Sequence, residues 1–130
     1  SIGYVKTLDN LTWAVTCMAH HLKPGGILVI EPWFTPATWH PGTVHALFID
    51  EPNLKIARIS TSFVDGRLSY FDLHYLIGTP EGTEHFTERH ELGLFETSEI
   101  RAVLAGVGLE VTYDGEGLTG RGLFIGRRSQ

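Results

Sequence analysis

With one cysteine, one methionine and no long apolar run, the 130-residue chain is informative first for what it does without. Cys17 has no partner for an internal disulfide, so a reducing cytoplasm is the default compartment. No apolar stretch approaches the roughly 18 residues that a bilayer-spanning helix needs, and no signal peptide is visible, so no membrane partner is expected. Basic residues are scarce. Ten Lys and Arg stand against 15 Asp and Glu, for a net charge of −5, and apart from Arg127-Arg128 they are scattered. No basic stripe offers phosphate neutralisation, which argues against a general nucleic-acid binder. Gly-x-Ser-x-Gly, a Cys/His pair and a phosphate-binding loop are all missing, so neither a hydrolase nor a kinase is supported. At 42% apolar and 19% charged, the composition is that of an ordinary globular chain with a modest core.

What the chain does have is concentrated in Leu22-Lys-Pro-Gly-Gly-Ile-Leu-Val-Ile-Glu-Pro-Trp-Phe34. Thr7 is a plausible N-cap, and Leu8, Leu11, Val15, Met18 and Leu22 recur at spacings of three and four. The spacing predicts an amphipathic helix over 8–22 that Pro24-Gly25-Gly26 stops. Ile27 to Ile30 has no polar alternation, which predicts a strand buried on both faces and half of a βαβ unit. In an α/β sheet ligands bind at the carboxyl ends of strands, so Glu31, Trp33 and Phe34 should lie at the rim of a site.

Beyond Pro41, strand-like runs at 44–49, 55–63, 68–77 and 84–95 surround an Asp65-Gly66 hairpin signal. They predict an antiparallel insert at 44–95 between a helix-strand part at 1–43 and a closing part at 96–130. In the closing part, Thr97 and Ser98 should cap a second helix to about Leu104, with Glu99 in its first turn. Strands at 109–113 and 122–127 should complete it. The fold class is therefore α/β.

Gly115-Glu-Gly-Leu-Thr-Gly120 matches G-x-G-x-x-G, but a cofactor loop needs a helix after it, and Gly-Leu-Phe-Ile-Gly reads as a strand. The glycines are expected to make a tight connection between strands instead. Arg121 lies between Gly120 and Gly122, which would let the backbone approach a ligand closely. A guanidinium suits bidentate binding of a diphosphate, although a hairpin-capping surface arginine fits the same pattern. Trp33 and Phe34 read as a wall against a sugar or base, and Trp39 as cover for the insert's core. Among seven histidines no H-E-x-x-H spacing occurs, so no metal site is expected. His74 and His90 are candidates for a substrate-facing side of the insert, whose strands carry polar residues on both faces.

Taken together, the Leu-Lys-Pro-Gly-Gly strand, Ser1-Ile-Gly-Tyr4, Glu31-Pro-Trp-Phe34 and Thr119-Gly-Arg-Gly-Leu-Phe124 resemble segments of class I S-adenosylmethionine (SAM) dependent methyltransferases. The resemblance is to the N,N-dimethyltransferases of TDP-linked amino sugars, of the desosamine and mycaminose type. It covers the whole chain but only the C-terminal half of such an enzyme, which implies a fragment of a Rossmann-like methyltransferase with an antiparallel β insert. It implies SAM as cofactor, mostly held by sequence outside these residues, and a nucleotide-sugar substrate in natural-product biosynthesis. Ser1, Ile2 and Gly3 would lie beside the donor, and Tyr4 would orient the amine. Arg121 would hold the diphosphate, while Trp33 and Phe34 would line the acceptor cleft.

Some relatives carry His where this chain has Tyr4. A tyrosine is a poor base at neutral pH, so positioning rather than proton abstraction is implied. Relatives usually read Glu-Pro-Trp-Trp-Phe-Pro, so Phe34 replaces a second Trp, which implies a different acceptor fit. The exposed edge and helix face of an isolated half-sheet imply self-association or a homodimer. Two alternatives stay open: methylation of another small polar acceptor, and a non-catalytic domain binding a ligand or partner through the insert.

Overall fold

Thr7 opens the first helix, α1 (Leu8–His20), by accepting the Asn10 amide on its side-chain oxygen at 3.2 Å. Leu11, Val15 and Ala19, four residues apart, form its buried face. Burying such a Leu or Val contributes about 1.5–3 kcal/mol. Leu8 is a partial exception, since the open first turn leaves it 44% exposed. The helix stops at His20, two residues earlier than its apolar pattern suggests. Arg128 then donates to the Leu22 carbonyl at 2.5 Å, supplying a cation and a donor where the helix leaves carbonyls unpaired.

The second helix, α2 (Thr97–Gly106), starts with a different cap from the one expected. Glu96, not Thr97 or Ser98, is the capping residue. Its carboxylate accepts the amide at the third helical position, and the Glu99 carboxylate accepts the Glu96 amide at 2.8 Å. Two otherwise unpaired donors are satisfied reciprocally, which one serine or threonine cannot do. Ile100 and Leu104 point from α2 into the core.

These helices accompany a three-stranded sheet of β1 (Ile27–Ile30), β6 (Leu109–Asp114) and β7 (Leu123–Arg128), in the order β1-β7-β6 and antiparallel throughout. Phe124, 1% exposed, pairs with Ile30 and anchors a core that includes Leu11, Val15, Phe95, Ile100, Leu104 and Leu109. Within residues 1–130, β1 pairs with β7 alone and Ile27 and Val29 are 57% and 49% exposed, so the burial on both faces that its sequence suggests is not seen among these residues.

The computed structural model describes residues 1–130, which divide into two units. One comprises Ser1–Trp39 with Leu92–Gln130; the other is His40–Glu91. The second unit is an antiparallel sheet, in the order β2 (Val44–Glu51), β3 (Leu54–Asp65), β4 (Leu68–Thr79) and β5 (Gly82–Gly93). Gly66 at φ 59° occupies the first position of the two-residue turn joining β3 and β4, as a hairpin of this kind requires. The last strand starts and ends two residues earlier than its sequence run suggests, and Leu94 and Phe95, beyond it, are core residues.

One face of this sheet carries the Asp72–Arg89 pair. Arg89 donates to both carboxylate oxygens of Asp72, at 2.6 and 2.8 Å, and lies 4.7 Å from the centre of the Tyr70 ring. The hydrogen bonds from Arg89 hold Asp72 below the ordinary carboxylate range. A depressed folded-state pKa contributes stability that is complete above the unfolded value and disappears as pH falls through the folded one. Melting curves of wild type and Asp72→Asn should therefore differ most at neutral pH and converge on acidification. A difference that grew with falling pH would contradict the assignment.

Candidate functional site

The carboxyl end of β1 meets the loop between β6 and β7, and Trp33, Phe34, Trp39 and Arg121 collect there. Arg121 reaches back from the loop. Its Nε donates to the Pro32 carbonyl at 3.1 Å and its Nη2 to Glu31 Oε1 at 2.9 Å. Its guanidinium carbon lies 5.5 Å from the centre of the Trp33 ring and 5.7 Å from that of Phe34, at cation–π distance. Arg121 and Glu31 side chains are 28% and 27% exposed, so the pair is partly shielded yet reachable.

Local sequence explains the assembly. Pro32 and the end of β1 release Trp33 and Phe34 from the sheet. A turn then folds the chain back, with the Trp39 amide donating to the Thr35 carbonyl at 3.0 Å and the Thr38 hydroxyl accepting the Thr35 amide at 2.8 Å. Trp39 thereby packs 5.6 Å from both Trp33 and Phe34. It joins this cluster, whereas its sequence position suggests cover for the insert.

On the opposite strand connection, Gly120 and Gly122 have φ of 85° and 88°, the left-handed region that favours glycine. A Cβ on Gly122 would lie 2.8 Å from Tyr113 Cε2, so the absent side chain admits Tyr113. The close approach that these glycines were expected to give a ligand is taken, at Gly122, by the protein itself. The G-x-G-x-x-G run is a loop leading into β7 and has no helix after it.

The remaining candidates occupy distinct places. Residues Ile2–Val5 form a short 3-10 helix. Ile2 packs against the core, and a Cβ on Gly3 would sit 3.1 Å from Trp33 Cβ, which ties Gly3 to the aromatic cluster. Tyr4 is 48% exposed. His74 and His90 belong to the other unit. His74 stacks on His85, 5.7 Å away, and His90 stacks on Phe71 at 5.0 Å while bonding Glu88 at 3.1 Å. Because side chains alternate along a strand, Phe71 and His74 lie on opposite faces of β4. One sheet face cannot present both histidines.

Glu31 has a role that its local sequence does not reveal. A carboxylate at this position could meet a ligand hydroxyl or merely end a strand, and its pairing with a residue 90 positions away leaves no local signal. A groove of about 980 Å³ runs between α1 and α2 past Thr12, Thr16, Glu99 and Val103 and includes none of these cluster residues.

No protein-family model matches the chain. Solved structures nonetheless define its class. The SAM-bound CalS10, an amino pentose methyltransferase from Micromonospora echinaspora involved in calicheamicin biosynthesis, aligns with a TM-score of 0.89 at 34% identity, over 98% of this chain and 54% of that one. The fold is thus about half of a class I SAM-dependent methyltransferase, carrying an antiparallel sheet in addition. Curated relatives narrow the similarity. The chain is 39% identical, over 127 residues, to the dTDP-3-amino-3,4,6-trideoxy-alpha-D-glucopyranose N,N-dimethyltransferase of Streptomyces venezuelae, covering 97% of this chain and 54% of that protein. It is 37% identical to the dTDP-4-amino-2,3,4,6-tetradeoxy-D-glucose N,N-dimethyltransferase of Saccharopolyspora spinosa, covering 98% of this chain and 51% of that one. The chain spans about half the length of the curated relatives it matches.

Proposed function

We propose that the chain is the C-terminal half of a SAM-dependent N-methyltransferase that acts on a TDP-linked amino sugar in cytoplasmic natural-product biosynthesis. The observation that carries this reading is Arg121, seated on Trp33 and Phe34 at the carboxyl end of β1. Similarity to amino-sugar N,N-dimethyltransferases over nearly the whole chain supports it.

In this reading Arg121 offers a charged fork to the diphosphate, and the aromatic wall shields the sugar end from water. Tyr4 orients the amine or a neighbouring hydroxyl without acting as a strong base. Holding the amine in line for methyl transfer then supplies much of the acceleration. The residues present form no complete cradle for SAM. Ile2 turns into the core and Gly3 is closed over by Trp33 and Leu92, leaving Ser1 and backbone atoms to border the donor. The other half of such an enzyme would supply the rest of the donor site.

The test is an assay of the full reading frame with labelled SAM and TDP-linked 3-amino and 4-amino sugars. Label entering the nucleotide sugar supports the reading; a purified full-length protein that binds SAM but labels neither sugar rejects it.

The homodimer belongs to the same proposal. Every residue of β2 is exposed, with Val44 at 67% and Phe48 at 70%, and the strand is an edge. An unpaired apolar edge is a template for a second strand. Antiparallel pairing of two copies about Phe48 would place His45 opposite Glu51, with Leu47 opposite Ile49. Phe48→Lys should shift the protein to a smaller species in size-exclusion chromatography; unchanged elution would count against this edge.

A further inference from the structure

Arg121 is aimed from outside its own loop. Its Nε and Nη2 face the Pro32 carbonyl and Glu31 Oε1, which occupies the side-on fork of the guanidinium and leaves the Nη1/Nη2 edge for a ligand. The other oxygen of Glu31, Oε2, accepts the Thr119 hydroxyl at 3.3 Å. One carboxylate therefore grips the loop at residues 119 and 121, on either side of Gly120, whose φ of 85° marks a position of high conformational freedom. The Trp33 and Phe34 rings lie 5.5 and 5.7 Å from the carbon of the same guanidinium.

We propose that Glu31 is a positioning residue: it fixes the Arg121 guanidinium so that its Nη1/Nη2 edge receives two neighbouring anionic oxygens of a nucleoside diphosphate. This role rests on the reading of Arg121 as the diphosphate arginine. Its consequence for charge is counterintuitive. A carboxylate beside an anion site repels the ligand by Coulomb's law, so removing it would tighten binding if charge were its only effect. If alignment dominates, removing it weakens binding, because a charge-assisted fork depends on its geometry. The sign of the change separates the two.

The experiment uses the full reading frame, with calorimetric titration of TDP, a separate SAM titration, steady-state kinetics and thermal melting on wild type, Glu31→Ala and Glu31→Gln. Glu31→Ala should raise the TDP Kd and the nucleotide-sugar KM about tenfold, the equivalent of roughly 1.4 kcal/mol, with a smaller change in kcat. SAM affinity should stay within about twofold. Glu31→Gln, which keeps a carbonyl acceptor for Nη2, should recover most of the loss. Should Glu31→Ala unfold, Glu31→Asp replaces it: its shorter side chain draws the carboxylate away from Nη2 at unchanged charge, and weaker TDP binding is again expected. TDP affinity that is unchanged or higher in Glu31→Ala, or in Glu31→Asp where it replaces it, with only the melting temperature lowered, overturns the proposal and leaves a structural tie. Wild-type protein that binds SAM but no TDP overturns the functional reading itself, and this inference with it.

Discussion

In the full-length protein, Arg121→Ala should lower kcat/KM for the TDP-amino sugar on the order of 100-fold while SAM affinity holds. The magnitude comes from the bonds at stake. A hydrogen bond to a charged group is worth about 1.5–3 kcal/mol, and loss of a two-pronged contact removes about 3 kcal/mol, which is on the order of 100-fold. Arg121→Lys should recover little. Lysine carries the charge, but its ammonium cannot bond the Pro32 carbonyl and Glu31 on one side and present a planar fork on the other. The expected signature is a raised KM with kcat affected less, since the diphosphate is remote from the reacting amine. Steady-state kinetics of both variants with each substrate varied check this. An Arg121→Ala enzyme with unchanged KM for the nucleotide sugar would remove Arg121 from the site.

A second large effect should come from a residue with no side chain. Gly122→Ala should destabilise the protein by about 2–4 kcal/mol, because it adds left-handed strain to a collision in a packed region. Its φ is 88°, and the new methyl would lie 2.8 Å from Tyr113 Cε2. The Tyr113 ring cannot easily retreat, since it packs 4.7 Å from Phe124, which is 1% exposed. Gly120→Ala is the internal control. Its φ of 85° gives similar backbone strain, but nothing lies within 4 Å of its Cβ, so the loss should be nearer 1–2 kcal/mol. Melting temperatures should fall by roughly 6–12 °C for the first variant and by less for the second. Equal losses at both positions would mean that Tyr113 does not set the requirement at Gly122.

Much of the fold is written locally. Thr7, the apolar spacing of α1, Asp65-Gly66 and the strand after Gly120 are local signals, and each produces the element that its chemistry calls for. The decoy glycine motif is recognisable for the same reason, because Gly122 to Gly126, just after it, already read as a strand. The features that are not legible depend on distant partners. Burial of β1 cannot be judged from Ile27–Ile30, because exposure is set by which strands lie beside them, and here only β7 does. The Glu96 cap competes with two good capping residues directly after it, and the reciprocal bond with Glu99 decides the outcome. Sequence order favours the insert as the place of Trp39; the turn at Thr35–Thr38 also brings it against Trp33 and Phe34.

The site is legible in part. Trp33, Phe34 and Arg121 can be named from residue type, position relative to a strand end, and resemblance. That Arg121 is already engaged by Glu31 and Pro32 cannot, because the contact joins residues about 90 positions apart. Neither can the separation of His74 and His90, since placing them on opposite faces requires the register of the sheet. Their shared role as substrate contacts does not follow from that geometry.

The most direct test is a crystal structure of the full-length protein with TDP bound. A diphosphate oxygen is expected within hydrogen-bonding distance of Arg121 Nη1 or Nη2, with Glu31 still bonded to Nη2 and the Trp33–Phe34 wall beside the phosphate–sugar end. TDP held elsewhere, with Arg121 engaged only by Glu31 and Pro32, would contradict the assignment of this cluster as the diphosphate site.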